Sequence, residues 1–451
     1  MAPERLVAAL AAAALLSACG SSPGGNPTPD GARAAFAGLR YDDGPPPADP
    51  SDRVADDERA SVFGQKIFFD PFLSGPLIEG DNDGTGGTLG VKGDPGKVAC
   101  SSCHVPASGF VDTRSPHRQI SLAAQWTARR TPELLEVAFA PLYNWDGRRD
   151  AIWNQAIGVM ESDREFNSGR LFVAEQVFRE RRADYEALFG AMPPLDDDAR
   201  FPQLSPGEAG CTEVLTRSGS TFSCRGKPGD GADYDGMAAP DQHAVTVVTV
   251  NVAKSVEAYV RKLRCGPGRF DRWLDGDDTA LTESERRGAD LFVGRAKCVS
   301  CHAGPSFTDG KFHNVGLAPA VVAVAFVDEG DTGAYDGVKA ALADPLSTAG
   351  EFSDGDRHAL PSAPEDTLLG AFRTPSLRCA SEHPSYMHTG QIRTLSLAVE
   401  FHDRGGDAPG SYPGTNELSP LGLTEEERAD LVAFLGTLQG VGPPAELLAA
   451  P

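Results

Sequence analysis

A mainly α fold, built from two related domains with long loops, is predicted by three features of the sequence. The first is a repeated pentapeptide, Cys100-Ser101-Ser102-Cys103-His104 and Cys298-Val299-Ser300-Cys301-His302. The second is helical periodicity near each copy. The third is a content of 50 glycines and 35 prolines in 451 residues, which favours long irregular connections. Cys-x-x-Cys-His is the attachment pattern of a c-type haem. Two thiols three positions apart each take one side carbon of the porphyrin, and the adjacent histidine reaches the iron from the proximal side. A zinc site or a redox dithiol shares part of this pattern. Two complete copies in a chain with 9 cysteines and 9 histidines instead indicate two covalently bound haem c groups. Both domains are therefore expected to be cytochrome c-like haem domains.

The length suffices for two or three domains, each with its own core. The net charge of −23 disfavours nucleic acid and anionic lipid as partners and favours a basic protein partner or none. Residues 1–18 have the pattern of a lipoprotein signal peptide: Arg5, an apolar run over 6–16 too short to span a membrane, then Leu16-Ser17-Ala18-Cys19. Cys19 would carry lipid. The protein would then sit on the periplasmic side of a bacterial membrane and touch it through that anchor only. Residues 19–52, rich in Gly, Pro, Ser and Asp, are expected to be a flexible tether. An N-terminal haem domain is expected over 53–265 and a C-terminal one over 266–451.

The remaining cysteines are Cys211, Cys224, Cys265 and Cys379, an even number in an oxidising compartment. Cys211 and Cys224 share one polar loop and are expected to pair. A Cys265–Cys379 bridge would tie the domain junction to the C-terminal domain. In chain order, a helix is predicted over 54–69, ended by Asp70-Pro71. Asp81-Asn82-Asp83-Gly84 lacks full calcium-loop spacing and is expected to be a solvated turn. Residues 196–242 form a long insert of low apolar content, and a helix follows over 245–263. Thr282 with Glu285, and Thr424 with Glu427, are capping boxes that open the first and last helices of the C-terminal domain. Leu431, Phe434, Leu435 and Leu438 then form one apolar stripe.

Arg130-Thr131-Pro132, Tyr143-Asn144-Trp145-Asp146-Gly147-Arg148, Gln155 and Glu165-Phe166-Asn167 resemble the bacterial di-haem cytochrome c peroxidase and MauG family. Phe312-His313-Asn314-Val315-Gly316, Phe372-Arg373-Thr374-Pro375-Ser376-Leu377-Arg378 and Tyr386-Met387-His388-Thr389-Gly390 carry the resemblance through about residue 440. The resemblance implies that the N-terminal haem meets hydrogen peroxide. It also implies that Trp145 conducts electrons between the haems and that Gln155 and Glu165 form the distal pair. A carboxylate in an apolar pocket can take a proton from one peroxide oxygen and deliver it to the other. Two departures stand out. Arg130 occupies the place of an asparagine that helps hold calcium between the domains in relatives, so that calcium site is altered or lost. His117 lies near the place of a histidine that caps the resting haem in some relatives, but its setting favours an exposed loop.

The resemblance puts the sixth ligand of the second haem about fourteen residues beyond His388, at His402, with Met387 the competing ligand. The function implied is reduction of peroxide to water with electrons from a small redox protein, a cytochrome c or a cupredoxin. One alternative is a MauG-like oxidase of a protein or organic substrate. Another is a non-enzymatic di-haem electron carrier. A homodimer is compatible with this reading.

Overall fold

The computed structural model describes residues 33–114, 120–216, 219–319 and 331–451. Signal peptide, Cys19 and His117 lie outside them. The helical class is observed: strands are confined to two short two-stranded sheets among the described residues.

Helix α1, Glu58–Phe69, starts at Glu58 rather than at residue 54. The Asp57 carboxylate accepts from the amide of Arg59 at 2.8 Å, fixing the N-terminus there. Helices α3 (Ile152–Glu161), α4 (Arg170–Glu180), α5 (Arg182–Phe189) and the long α6 (Ala239–Val260) complete the N-terminal domain around a one-turn α2 (Cys100–Cys103). Phe63, Ile67, Phe68, Val252, Val256 and Tyr259 share its core. The crossing of α1 and α6 is close: a β-carbon on Gly64 would lie 1.7 Å from the Ser255 carbonyl oxygen, so only glycine permits this approach. The insert folds as a hairpin, β1 (Gly210–Thr216) against β2 (Gly219–Arg225). Cys211 and Cys224 face each other in that register and are bonded.

In the C-terminal domain, α7 (Arg269–Leu274) is followed by α8 (Glu283–Val293). The Thr282 hydroxyl accepts from the Glu285 amide at 3.3 Å, and the Glu285 carboxylate accepts from the Thr282 amide at 2.8 Å. The same reciprocal box opens the last helix, α11 (Glu425–Gly436), with α9 (Ala334–Ala343) and α10 (Leu395–Asp403) between. Helix α8 crosses α11 at Gly288, where a β-carbon would lie 2.0 Å from the Asp430 carbonyl oxygen. Phe270, Phe292, Phe307, Leu431, Phe434 and Leu438 fill the core. The second disulfide joins Cys265 to Cys379. No described helix is long and apolar enough to cross a membrane.

Two expectations need correction. Residues 33–52 are not a free tether. Phe36 and Leu39 are buried in the C-terminal core, with the Phe36 ring edge-on to Trp273 at 5.5 Å. Further on, Ser51 accepts from the indole of Trp153 at 3.0 Å in the N-terminal domain. Two aromatic or aliphatic side chains suffice to seat a segment of otherwise loop-like composition, because each gains about 1.5–3 kcal/mol on burial. The 81–84 segment is a turn, with Asp83 accepting from the Thr85 amide at 2.9 Å, but Asn82 is buried rather than solvated. Its amide donates to the Ala123 carbonyl at 3.0 Å.

Candidate active site

Both pentapeptides fold by one local rule. In the first, the His104 amide closes the turn onto the Cys100 carbonyl at 2.9 Å. The ring Nδ1–H of His104 donates to the Phe110 carbonyl at 2.9 Å. In the second, the His302 amide closes onto Cys298 at 2.9 Å and its Nδ1–H donates to the Phe307 carbonyl at 2.9 Å. Phe110 and Phe307 are both fully buried and both left-handed, with φ of 59° and 52°. That unusual backbone aims each carbonyl at the imidazole. Each ring is thereby held in one tautomer with Nε2 bare, the arrangement a metal-ligating histidine needs. Burial pushes both imidazoles down to about 4, so they stay neutral.

The thiols of Cys100, Cys103, Cys298 and Cys301 are not in disulfides. Burial pushes Cys100, Cys103 and Cys298 up to about 12. Two thiols outside any disulfide beside one imidazole with a free Nε2, twice over, fit covalent haem c at both places.

Around the N-terminal pair, the sequence-predicted residues come together. Glu165 lies within electrostatic reach of Cys100 and Cys103. Its carboxyl is raised by burial, against the pull of Arg148, a hydrogen bond from Ser162 and the more distant Arg149. Next to it in sequence, Asn167 fixes the loop: its side chain donates to the carbonyls of Pro76 and Cys211 and accepts from the Cys211 amide at 2.7 Å. The insert is thus anchored beside Glu165. Gln155, on α3, meets the Asn144 side chain, whose amide is oriented with nitrogen 2.5 Å from Gln155 Oε1 and oxygen 2.5 Å from Arg148 Nη2.

Trp145 is buried at the junction of the domains. Its indole donates to the Arg130 carbonyl at 2.7 Å, and its own carbonyl accepts from the Arg373 amide of strand β4 (Phe372–Arg373) at 2.8 Å. The Arg130 guanidinium lies 5.7 Å from the indole, donates to the Ser385 carbonyl at 2.6 Å and stands 3.6 Å from Glu133. Close by, the rings of Phe372 and His388 stack at 3.5 Å.

At the C-terminal pair, His402 lies on α10. Its Nδ1–H donates to the Ala398 carbonyl at 2.8 Å, which leaves Nε2 bare here too. His402 is close enough to His302 to depress its protonation electrostatically. Met387 sits instead in the junction motif, in a left-handed backbone with φ of 66°.

Sequence reasoning missed Phe110 and Phe307, Asn144 as the partner of Gln155, and Arg148 as the charge facing Glu165. The two phenylalanines had a signal, each following its histidine by five or six residues. The Arg148 contacts had none beyond membership of the quoted motif.

Two histidine-bearing thiol pairs on a helical scaffold of two similar halves define a di-haem c-type cytochrome. Comparison with known proteins specifies it further. Residues 58–214 match the di-haem cytochrome c peroxidase family. The methylamine utilization protein MauG of Methylorubrum extorquens is 27% identical over 378 residues, covering 84% of this chain and 77% of that protein. A cytochrome-c peroxidase, IdrP1, of a Pseudomonas species is 28% identical, covering 87% and 84%. The cytochrome c551 peroxidase of Pseudomonas aeruginosa is 23% identical, covering 86% and 81%. Among solved structures, the diheme peroxidase BthA of Burkholderia thailandensis superposes with a TM-score of 0.60 at 21% identity, over 89% of this chain and 92% of that one. A MauG-like protein associated with microbial copper homeostasis gives 0.54 at 22%, over 90% and 95%. The chain is thus similar, over most of its length, to oxidoreductases named as di-haem cytochrome c peroxidases and MauG, and carries the family's match over residues 58–214.

Proposed function

We propose that this protein reduces hydrogen peroxide to water at its N-terminal haem, with electrons that a small cytochrome c or cupredoxin delivers to its C-terminal haem. The observation that carries this reading is Glu165: a buried carboxyl beside the Cys100–Cys103 attachment point, with Gln155 held on the same side of the chain by Asn144. His104 would hold the N-terminal iron, and His302 with His402 the C-terminal one. When bound, the haems supply the redox chemistry. Glu165 holds a proton-accepting oxygen where peroxide enters, takes the proton of one peroxide oxygen and returns it to the other. Gln155 orients the substrate, and buried Trp145 offers an aromatic step between the two centres.

The MauG-like alternative, oxidation of a protein or organic substrate, draws support from the relatives named MauG, at identities similar to the peroxidases. At the junction, Arg130 stands where relatives carry an asparagine that helps hold calcium, and we read that calcium site as altered or lost. Two disulfides support an oxidising, extracytoplasmic compartment, and lipid attachment at Cys19 completes that reading.

Glu165→Gln tests the function. Steady-state peroxide consumption with a reduced cytochrome should fall about 10²-fold or more while both haems stay attached. Turnover within about twofold of the parent, against that scale, would show that the carboxylate is not the proton carrier.

A further inference from the structure

A ladder of four charged side chains crosses the domain junction and ends in the Glu165 pocket. It begins at Asp331 of the C-terminal domain, which accepts from Arg129 at 2.7 and 2.9 Å. Arg129 in turn donates to Asp146 at 2.5 Å. Asp146 accepts from Arg148 at 3.0 and 3.2 Å. The Asn144 side-chain oxygen lies against the face of the Arg148 guanidinium, with Nη2 at 2.5 Å, Nε at 2.9 Å and Nη1 at 3.1 Å, and Asn144 holds Gln155. One planar group therefore touches the pocket's amide pair and faces its carboxyl. A guanidinium suits this role because it can donate to Asp146 and hold the Asn144 oxygen against its flat face at once, while its charge persists at every working pH.

The rungs are braced from the C-terminal side. Gly337 of α9 packs on the Asp146 carbonyl so closely that a β-carbon would lie 1.9 Å from its oxygen. At Gly147 a β-carbon would lie 2.5 Å from the Phe312 ring. The other charges facing Glu165 are Arg149 and Asp163. Both arginines are themselves paired, Arg148 with Asp146 and Arg149 with Asp344 at 2.9 Å, and of the two Arg148 has the larger pull on Glu165.

We propose that Arg148 is a positioning residue of the N-terminal pocket, setting both the ionisation of Glu165 and the placement of Gln155, and that the C-terminal domain holds it there through Asp146, Arg129 and Asp331. This rests on the pocket's being the proton-handling site, yet it can be tested apart from turnover.

The experiment is an infrared pH titration of the Glu165 carboxyl in the holoprotein, read as the difference from Glu165→Gln. In Arg148→Gln the midpoint should rise by about one pH unit or more, the usual scale for losing an adjacent opposite charge. Arg148→Lys should recover most of that shift, since it keeps the charge, but should leave the KM for peroxide raised because the flat seat for Asn144 is gone. Asp331→Asn, remote from the pocket, should shift the midpoint upward by less. An unmoved midpoint in Arg148→Gln overturns the proposal. If that variant does not fold, Arg148→Lys with a parental KM or Asp331→Asn with a parental midpoint does so. A shifted midpoint in a protein without peroxide turnover would sink the proposed function and leave this inference standing.

Discussion

The two haem-binding regions begin alike and end differently. His104 and His302 make the same tautomer-fixing hydrogen bond to the carbonyl of a left-handed phenylalanine. Beyond that the surroundings diverge. The group within electrostatic reach of His302 is another buried imidazole, His402, whose protonation burial disfavours. The groups that gather by the N-terminal thiols are Glu165, Gln155, Asn144 and Arg148, able to accept, donate and orient. The contrast teaches that the haem-attachment turn can stay the same while its surroundings differ: on the proposed function a second imidazole would suit electron storage, and a polar pocket would suit proton transfer.

If each region is supported by its own aromatic core, it should be possible to loosen one without the other. Phe434 contacts Phe270 and Phe292 at 5.3 Å and Phe307 at 6.3 Å, and Phe307 carries the carbonyl that fixes His302. Phe68 contacts Tyr259 at 5.0 Å and Phe110 at 6.1 Å, and Phe110 does the same for His104. Phe434→Ala and Phe68→Ala should each cost about 3–5 kcal/mol. Thermal unfolding followed by haem-specific magnetic circular dichroism should show the C-terminal centre disturbed first in one and the N-terminal centre first in the other. Identical loss of both signals in both variants would mean one shared core.

One acid group in each region gives an opposite pH sign. Below the N-terminal helices Asp52 is pushed up to about 7 by burial, with Asp49 and Asp354 adding to it and Lys254 opposing. A raised carboxyl stabilises the fold below its unfolded value and loses that contribution as pH climbs through the folded one. Asp271 of the C-terminal domain is paired with Arg378 at 2.8 and 3.0 Å and is depressed. Its contribution is present at neutral pH and fades as pH falls through its folded value. Asp52→Asn should therefore stabilise by about 1–4 kcal/mol at pH 8 and by little at pH 4. Asp271→Asn should destabilise at pH 7 and progressively less in acid. Urea melts across that range check both; a pH-independent effect of Asp52→Asn would contradict the assignment.

Much of this organisation is legible in the sequence, for local reasons. The haem pentapeptides, both capping boxes and the hairpin disulfide depend on residues within a few positions of one another, or on one hairpin. What escaped depends on contacts between distant segments. The burial of residues 33–52 requires knowing that Phe36 meets Trp273, and the pocket ladder joins Asp331 to Arg129 across 202 positions. Such pairings leave no periodicity. His402 was found by register with relatives, and its bare Nε2 is a consequence of helix geometry, since its Nδ1–H bonds back four residues to Ala398.

The division of labour between the two sites is tested most directly by electron paramagnetic resonance of the resting ferric holoprotein beside His402→Ala. The account predicts a low-spin signal of a bis-imidazole centre in the parent that disappears in His402→Ala, with the signal of the N-terminal haem unaltered. Identical spectra from the two proteins, or loss of the low-spin signal in Met387→Leu instead, would contradict it.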